Sequence, residues 1–430
     1  MFGERILEGI VMKKKMGVGI IGCGMIAGSH ISDYLNLAEK AQILAVCDVV
    51  VKNAERRVAN IVSESKKLAQ QLEEQAEKAE TAEDKEKLLD KKALLLKYDE
   101  SKIKIFSDYN EMLKIKGLDA VSICTPPFAH APATIAAAKA GKHVFCEKPM
   151  ARTATEAKIM CDECNKAGVK LGYQSGSARL GAVNYAIRNY ITSGRLGDVY
   201  YGRQTSFRVR GRPGLDMPGF SKWFLDSSLG GGGGIYDIGV YQIDKILYLL
   251  GDPQPVTISG IAYRGVAPEY TGDSVYDVDE HTTVLVRFSN GMSFTFENGW
   301  VTNLSGVAEG IFIYGSKGGF RNNTLIVEEG AWEKDDKGNP RNYQAKLVEK
   351  ELEVPKIPTY SKIGDFLNAC MSDSKPISSG EDGMKVMEIM SGGLLSAKLG
   401  REITVRELYA IEAMRYEPTP GWPIGRTSPY

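Results

Sequence analysis

The first third of the chain alternates short apolar runs with segments of helical period. The apolar runs predict strands at Gly17–Ile21, Ala41–Asp48, Ala120–Cys124 and His143–Cys146. Helices are predicted from about Gly28 and across Pro132–Ala140. Buried strands that alternate with helices build parallel sheets covered on both faces. The pattern therefore predicts an α/β domain with a doubly wound parallel sheet over residues 16–150.

A charged, helix-forming segment interrupts this alternation between residues 53 and 97. It consists almost wholly of Ala, Glu, Lys, Leu, Gln and Arg and is long enough for two helices. Thr81 with Asp84 predicts a capping box that starts the second helix. Since a connection between a strand and a helix normally needs far fewer residues, we interpret the segment as an inserted helical hairpin. It is either a solvated appendage or a contact with another subunit.

From Arg152 onward the pattern changes to longer, alternating strands. They are predicted at Val199–Arg210, Val256–Tyr263, His281–Phe288 and Met292–Trp300. Asn290-Gly291 predicts a hairpin turn between the last two. Residues 151–405 are therefore expected to form an α+β domain with a mostly antiparallel sheet. Residues 1–15 are an N-terminal extension, and the Pro-, Gly- and aromatic-rich residues 406–430 are a loose tail or an arm on a neighbouring subunit.

Composition narrows the class of protein. The 430 residues are 43% hydrophobic and 25% charged, with a formal net charge of zero. This balance argues against nucleic-acid or anionic-membrane partners, and no apolar stretch reaches the length of a membrane-spanning helix. The four histidines lack metal-ligand spacing, and Cys161 with Cys164 is a lone C-x-x-C best explained by helix packing. We expect no metal, and a reducing, cytoplasmic location.

A dinucleotide fingerprint lies between the first strand and the first helix. Gly22 permits the tight turn, Gly24 lets the backbone approach a pyrophosphate, and the small Ala27 lets helix and strand pack closely. Asp48 ends the next strand and can accept hydrogen bonds from ribose hydroxyls. No arginine adjoins Asp48 to receive a 2′-phosphate. The fingerprint therefore predicts a Rossmann domain that binds NAD, with NADP the less favoured cofactor.

Two further strand ends reach the same crevice. Thr125-Pro126-Pro127 offers a hydroxyl on a stiffened turn. His130 either bonds to the cofactor or is satisfied within its own loop. Glu147-Lys148-Pro149 follows the strand His143–Cys146 and places the Lys148 ammonium where open α/β sheets bind ligands. Pro149 fixes the backbone there, and the peptide bond before it is either cis or trans.

A glycine run, Gly230–Gly234, opens a predicted helix that Gly251-Asp252-Pro253 ends. At 100° per residue one face of this helix carries Asp237, Tyr241, Asp244 and Tyr248. Such a stripe faces either solvent or a site, and burial of carboxylates without partners is costly. The glycine run favours a site, because residues without side chains allow close approach of a ligand or of backbone.

Together these motifs resemble the Gfo/Idh/MocA oxidoreductase family, over about residues 16–405. The matching pieces are G-C-G-M-I-A at 22–27, C-D at 47–48, C-T-P-P at 124–127, E-K-P at 147–149 and G-G-G-G-I-Y-D-I-G-V-Y-Q-I-D at 231–244. The resemblance implies a nicotinamide cofactor, sugar- or polyol-like substrates, and a large open sheet in the second domain that is used for assembly.

Several site residues and departures follow from the resemblance. It implies that Met25, Ile26, Pro126, Glu147, Lys148 and Gln174 also contact the cofactor. Tyr241 stands where many members carry histidine, as in the branch of glucose–fructose oxidoreductase and dihydrodiol dehydrogenase. Ser175-Gly176 replaces a usual Arg-Arg, which puts substrate contacts there in doubt.

The expected chemistry is hydride transfer between a carbinol carbon and nicotinamide. Tyr241 is the leading base, made usable by Lys148, while Asp237 orients the pair or binds a substrate hydroxyl. In the alternative, Lys148 is the base and Tyr241 only positions. Asp244 is a further candidate for binding substrate. Arg208 and Arg210 either add positive charge at the substrate mouth, favouring acidic sugars, or form a solvated strand end. Trp223 either stacks on a sugar or fills core.

Three classes of function remain open on these residues. The first is an NAD(P)-dependent dehydrogenase or reductase acting on a sugar, polyol or glycoside. The second is a glycosidase that uses NAD redox chemistry transiently. The third is a cofactor-binding regulator without turnover, against which Lys148, Asp237 and Tyr241 argue. An uncovered sheet face also predicts a homo-oligomer, a dimer or a tetramer, because it would expose much apolar surface.

Overall fold

The computed structural model describes residues 15–175, 177–266, 272, 274–304, 309–358 and 360–415. Its first sheet has six parallel strands in the order β3-β2-β1-β4-β5-β6. They are β1 Met16–Ile21, β2 Ala41–Cys47, β3 Lys104–Phe106, β4 Leu118–Ile123, β5 His143–Cys146 and β6 Leu171–Tyr173. This order reverses direction at β1 and confirms the predicted doubly wound sheet.

Four helices connect the strands of this sheet in the described residues, apart from an inserted pair. They are α1 Ala27–Asn36, α4 Tyr109–Met112, α5 His130–Lys139 and α6 Ala154–Ala167. The inserted pair, α2 Val51–Glu77 and α3 Ala82–Leu95, lies between α1 and α4 in the chain. Since α6 returns the chain to β6, the parallel sheet ends at Tyr173, beyond the predicted domain end at residue 150. Cys161 and Cys164 lie on the buried face of α6 and pack in the core.

The inserted segment is a helical hairpin, α2 Val51–Glu77 and α3 Ala82–Leu95. Thr81 caps α3, because its hydroxyl accepts from the Asp84 amide at 3.0 Å. The Asp84 carboxylate accepts from the same hydroxyl at 2.7 Å and not from the Thr81 backbone amide, so only one half of the predicted capping box forms. The first turns of α2 pack on the parallel sheet with a buried apolar face, and after the hairpin the Tyr98 hydroxyl accepts from the Ile43 amide at 3.1 Å. Helix α3 buries Leu95 and is otherwise largely exposed.

The second half contains a nine-stranded sheet in the order β16-β13-β12-β11-β7-β10-β9-β8-β17, within the described residues. Only the pair β7–β10 is parallel, so the sheet is mostly antiparallel as predicted. In chain order the strands are β7 Val199–Phe207, β8 Pro255–Tyr263, β9 His281–Phe288, β10 Ser293–Gly299, β11 Gly310–Gly315, β12 Gly318–Arg321, β13 Thr324–Glu328, a separate pair β14 Ala331–Lys334 and β15 Pro340–Gln344, then β16 Leu347–Lys350 and β17 Ile403–Thr404.

Helices cover one face of this sheet and leave the other open in the described part of the chain. The covering helices are α7 Ala182–Thr192, α9 Val240–Leu249, α11 Gly380–Leu399 and α12 Val405–Arg415. The short helix α8 Ser227–Gly230 ends in the glycine run, and α10 Lys362–Ser372 packs instead against α1 and β5 of the parallel sheet. Val284, Phe294 and Phe296 are fully buried on the covered face. Ile261 and Tyr314 stand exposed on the opposite face.

The predicted ends of the chain are described only in part. The predicted tail begins inside α12, and residues 416–430 lie outside the described residues, as do residues 1–14 of the predicted extension. A search of the described helices finds none with the length and apolarity needed to cross a lipid bilayer.

A close approach of backbone joins α11 to the second sheet. Gly260 of β8 faces Gly393 of α11, and a Cβ atom on Gly260 would lie 2.2 Å from the Gly393 carbonyl oxygen. No real Cβ atom tolerates that distance, so the helix and strand can pack this tightly only with glycine at the crossing.

Replacement of Gly260 by alanine is expected to lower the free energy of unfolding by about 1–3 kcal/mol, since the helix must move off the strand. Denaturant unfolding monitored by circular dichroism measures the change. Gly219→Ala is the matched control, because a Cβ atom there meets no atom within 4 Å. Equal stability of the two variants would contradict the packing argument.

Candidate active site

Lys148 lies at the carboxyl end of β5, where the parallel sheet meets the second half of the chain. The Lys148–Pro149 peptide is cis, one of the two forms expected there. The Lys148 ammonium lies 3.2 Å from Oδ1 of Asp237 and 3.3 Å from its carbonyl oxygen. It also sits over the ring of Tyr241, 4.7 Å from the centroid. The structure thus brings the three predicted catalytic residues together.

Asp237 is held from both oxygens. While Oδ1 faces Lys148, Oδ2 accepts from Nη1 of Arg208 at 2.8 Å and from the indole N–H of Trp300 at 3.0 Å. The carboxylate is buried, and three hydrogen bonds, two of them from cations, satisfy it. Trp300 was missed from the sequence, because a tryptophan at a strand end looks the same whether it fills core or orients a carboxylate.

The helix that carries Asp237 does not start as an α-helix. Residues Ile235–Gly239 form a π-helical turn that runs directly into α9. The glycine run before it lets the backbone at Asp279 pack directly against this segment. A Cβ atom on Gly233 would lie 2.0 Å from the Asp279 carbonyl oxygen. Asp279 in turn accepts from the Gly233 amide at 2.7 Å and anchors the run to the start of β9.

The predicted polar stripe on this helix divides into two environments, and only Tyr241 among its four residues is exposed. Asp237 and Tyr241 adjoin Lys148. Asp244 is completely buried, and Nε and Nη2 of Arg179 donate to its Oδ1 at 2.9 and 2.8 Å. Ser175 donates to Asp244 at 2.7 Å, and the Tyr248 ring contacts the guanidinium groups of Arg179 and Arg188. Asp244 therefore has no oxygen left facing the crevice, and its contacts brace the helix.

Burial and charge act in opposite directions on the Lys148–Tyr241 pair. Burial lowers the pKa of Lys148, but Asp237 and Tyr241 outweigh it, so the pKa lies above its usual value. Burial raises the pKa of Tyr241, and the Lys148 ammonium offsets only part of that rise. At neutral pH both groups hold their protons.

The dinucleotide fingerprint has the shape that a pyrophosphate requires. Gly22 has φ +89°, and a Cβ atom there would lie 2.8 Å from the Cys124 carbonyl. A Cβ atom on Gly24 meets nothing within 4 Å, and the neighbouring Met25 and Ile26 side chains are exposed. No side chain caps α1, so its first turn is open to an anion.

Asp48 and two unpartnered polar atoms complete the fit to a nicotinamide dinucleotide. The Asp48 carboxylate accepts from the Cys23 amide of the fingerprint turn at 2.8 Å and from the Val50 amide at 2.9 Å. Oγ1 of Thr125 and Oε1 of Gln174 are buried and find no hydrogen-bond partner among the described residues. Such atoms are expected where a polar ligand supplies the missing partner.

Two predicted cofactor residues, His130 and Glu147, make hydrogen bonds within the protein. The ring nitrogens of His130 lie 2.9 Å from the Pro149 carbonyl and 2.7 Å from that of Thr125, so this histidine ties the loop after β4 to the loop after β5. Burial lowers its pKa, and the neutral ring donates to one carbonyl at a time. Glu147 is buried behind Lys148, paired with His30 at 2.9 Å.

Arg57 is a second residue that sequence reasoning missed. It lies on α2 of the inserted hairpin and is buried. Its Nη2 donates to the carbonyl oxygens of Gly24 and Cys23 in the fingerprint turn. No pattern in the sequence connects an arginine in a charged helix with that turn. The base of the insertion is therefore part of the cofactor site.

The other substrate candidates occupy different positions. Arg210 is exposed and donates to the Thr302 carbonyl at 2.8 Å and to the Asn303 side chain at 2.7 Å, so it belongs to a solvated strand end. Arg208 lies instead against Asp237. Trp223 stacks on Phe224 with ring centroids 3.8 Å apart, and the backbone of Gly230 packs against its ring. These contacts make it a packing residue beside the glycine run.

The chain is similar to known proteins over both halves. A family model described as "Oxidoreductase family, NAD-binding Rossmann fold" matches residues 16–175, and the GFO/IDH/MocA C-terminal domain matches residues 185–321. D-glucoside 3-dehydrogenase of Escherichia coli is 25% identical over 69% of this chain and 74% of its own. Myo-inositol 2-dehydrogenase of Thermotoga maritima is 27% identical over 71% of this chain and 85% of its own.

The fold is similar to that of solved structures over almost the whole chain. A levoglucosan dehydrogenase in complex with NADH superposes with a TM-score of 0.63 at 20% identity. The superposition covers 91% of this chain and 99% of that structure. At this level of identity the likeness shows the fold alone.

Arg57→Met is expected to weaken NADH binding by about tenfold, because loss of charge-assisted hydrogen bonds worth about 1.5 kcal/mol or more loosens the fingerprint turn. Fluorescence titration of NADH measures the dissociation constant. Arg56→Met is the matched control, since the neighbouring side chain is exposed and bonds to Asn53 at 3.1 Å. If both variants bind NADH like the unaltered protein, Arg57 does not support the turn.

Proposed function

Because this chain belongs to the Gfo/Idh/MocA family of NAD-binding oxidoreductases, we propose that it transfers a hydride between nicotinamide and a hydroxyl-bearing carbon of a sugar, polyol or glycoside. One observation carries the proposal. The Lys148 ammonium lies between the Asp237 carboxylate and the Tyr241 ring, at the end of a strand that borders the cofactor crevice. The relatives named above act on substrates of this kind, as their names state.

The chain's residues would divide the work as follows. Gly22, Gly24 and the first turn of α1 would hold the pyrophosphate, Asp48 the ribose, and Thr125 and Gln174 the nicotinamide end. NAD, when bound, supplies the hydride acceptor, and its reduced form the donor. Lys148 would stabilise the negative charge that develops on the substrate oxygen, and Tyr241 would exchange the hydroxyl proton. Asp237 would keep the ammonium aimed at the crevice.

The protonation states of Tyr241 and Lys148 determine how the rates of reduction and oxidation would depend on pH. Since Tyr241 holds its proton at neutral pH, it is ready to donate to a carbonyl oxygen during reduction. Oxidation needs the phenolate, so its rate is expected to rise as the pH rises towards the elevated pKa of Tyr241. Lys148 stays charged over the same range, because its pKa is raised as well.

Lys148→Met is expected to lower kcat/KM for oxidation by at least about a hundredfold, since it removes the charge that stabilises the reacting oxygen. The assay is NADH formation across a panel of sugars, polyols and glycosides. Released free sugar is measured in parallel, because sugar release without net NADH would mark a glycosidase that uses redox chemistry transiently. Tight NADH binding with neither product would mark a regulator.

Tyr241→Phe is expected to lower oxidation to a similar degree and to abolish its rise with pH. Full pH–rate profiles of kcat/KM measure this, and Tyr185→Phe, an exposed tyrosine on α7, is the matched control. A phenylalanine variant with an unchanged profile would make Lys148 the proton acceptor and leave Tyr241 a positioning role.

We also propose that the chain forms a homo-oligomer through the open face of the nine-stranded sheet. Exposed apolar groups stand on that face, with Ile261 67% exposed and the Tyr201 and Tyr314 rings stacked 5.7 Å apart. A sheet that buries one face on helices normally covers an apolar second face with a partner.

Ile261→Asp is expected to shift the protein towards the monomer, because a carboxylate would have to lose water in the interface. Sedimentation velocity measures the species present. Met414→Asp serves as the control, since that side chain is 84% exposed on α12, away from the sheet face. Monomeric unaltered protein would refute the assembly.

A further inference from the structure

Arg208 follows β7 and holds Asp237 with only one of its nitrogens. Nη1 lies 2.8 Å from Oδ2 of Asp237 and 3.0 Å from the Gly211 carbonyl oxygen. Its carbon stem packs against Gly211. The side chain is 35% exposed, so the guanidinium is fixed in place but still reachable from solvent.

The other edge of this guanidinium makes no hydrogen bond within the described part of the chain. All the hydrogen bonds of the Arg208 side chain there come from Nη1, and none comes from Nε or Nη2. The N–H bonds of these two nitrogens lie in the guanidinium plane and point in the same direction along one edge. That is the arrangement that binds both oxygens of a carboxylate or of a phosphate at once.

The neighbouring arginines differ from Arg208 in this respect. Arg212 is neutralised by Asp216 at 2.9 Å and by Glu280 at 3.2 Å. Arg210 points to the Thr302 carbonyl and the Asn303 amide at the exposed strand end. At the site, two cations, Lys148 and Arg208, share the carboxylate of Asp237. The Glu147 carboxylate is engaged by His30 and by the Lys148 backbone amide.

We propose that the Nε–Nη2 edge of Arg208 binds an anionic substituent of the substrate, a carboxylate or a phosphate, and so selects acidic sugars over neutral ones. The proposal rests on the proposed function for its substrate class. It gives the site a second anchor beside Asp237, at a fixed place relative to the Lys148 ammonium. A sugar carrying an oxyanion would be held there with its reacting hydroxyl directed at Lys148.

Binding to the NADH-loaded protein tests the subsite without reference to turnover. The probes are matched sets: glucose, glucuronate and glucose 6-phosphate, and the corresponding galactose series. Calorimetric titration is expected to show one of the two anions in at least one series binding at least about tenfold more tightly than its neutral parent, since a charge-assisted pair contributes about 1.5–3 kcal/mol. Which anion binds distinguishes a carboxylate from a phosphate substrate.

Arg208→Gln is expected to remove this preference, so that the anion and its parent bind alike. Arg208→Lys, which keeps the charge but loses the paired N–H groups, should retain only part of it. Arg210→Gln is the matched control and should leave the preference intact. Circular dichroism and NADH titration of each variant verify folding. Because the preference is the ratio of the dissociation constants of the anion and its neutral parent, a disturbance of Asp237 that weakens the binding of both sugars equally cancels in it.

Two outcomes would overturn the anion subsite: equal binding of anions and parents by the unaltered protein, or a preference that survives in Arg208→Gln. Turnover of the same sugars with NAD is scored separately. A preserved anion preference with no hydride transfer to any member of the panel would refute the proposed function and still support the subsite.

Discussion

The Asp237 carboxylate joins the two halves of the molecule. One oxygen accepts from Lys148, which ends a strand of the parallel sheet, and the other accepts from Arg208 and Trp300, which follow strands of the second sheet. A buried carboxylate must find such partners, since an unpaired charge would be far too costly. The same requirement that satisfies Asp237 therefore fixes where the Lys148 ammonium stands relative to the second sheet.

The π-helical turn at Ile235–Gly239 is what allows this meeting. A π-helical turn has more residues per turn than an α-helix, so it changes the direction in which side chains before it point around the helix axis. Asp237 therefore does not lie on the same face as Asp244 and Tyr248, as a uniform step of 100° per residue would place it. Asp237 and Tyr241 reach the crevice, while Asp244 turns inward to Arg179. One polar stripe thereby reaches the crevice at its first residues and braces the helix at its later ones.

Much of the fold and part of the site could be predicted from the sequence, for identifiable reasons. Buried parallel strands and the Asn290-Gly291 hairpin leave local patterns, and the fingerprint glycines are required by local backbone geometry. Trp300, Arg57 and Arg179 could not be found in this way. Each acts on a group far away in the chain, and nothing in its own neighbourhood distinguishes it from a core or surface residue. The engagement of His130 by two carbonyls was likewise invisible, because it depends on where a second loop ends.

The inserted hairpin has a functional base and a free tip. At its base Arg57 holds the fingerprint turn, and Tyr98 bonds to the second strand where the chain returns. The turn between α2 and α3, around Lys78–Thr81, is largely exposed and far along the hairpin from both anchors. Exposed helix–helix turns of this kind accept foreign sequence without loss of folding. The hairpin tip is thus a permissive position for inserting an affinity tag or a fluorescent reporter domain, and truncation of the hairpin is limited to its distal turns.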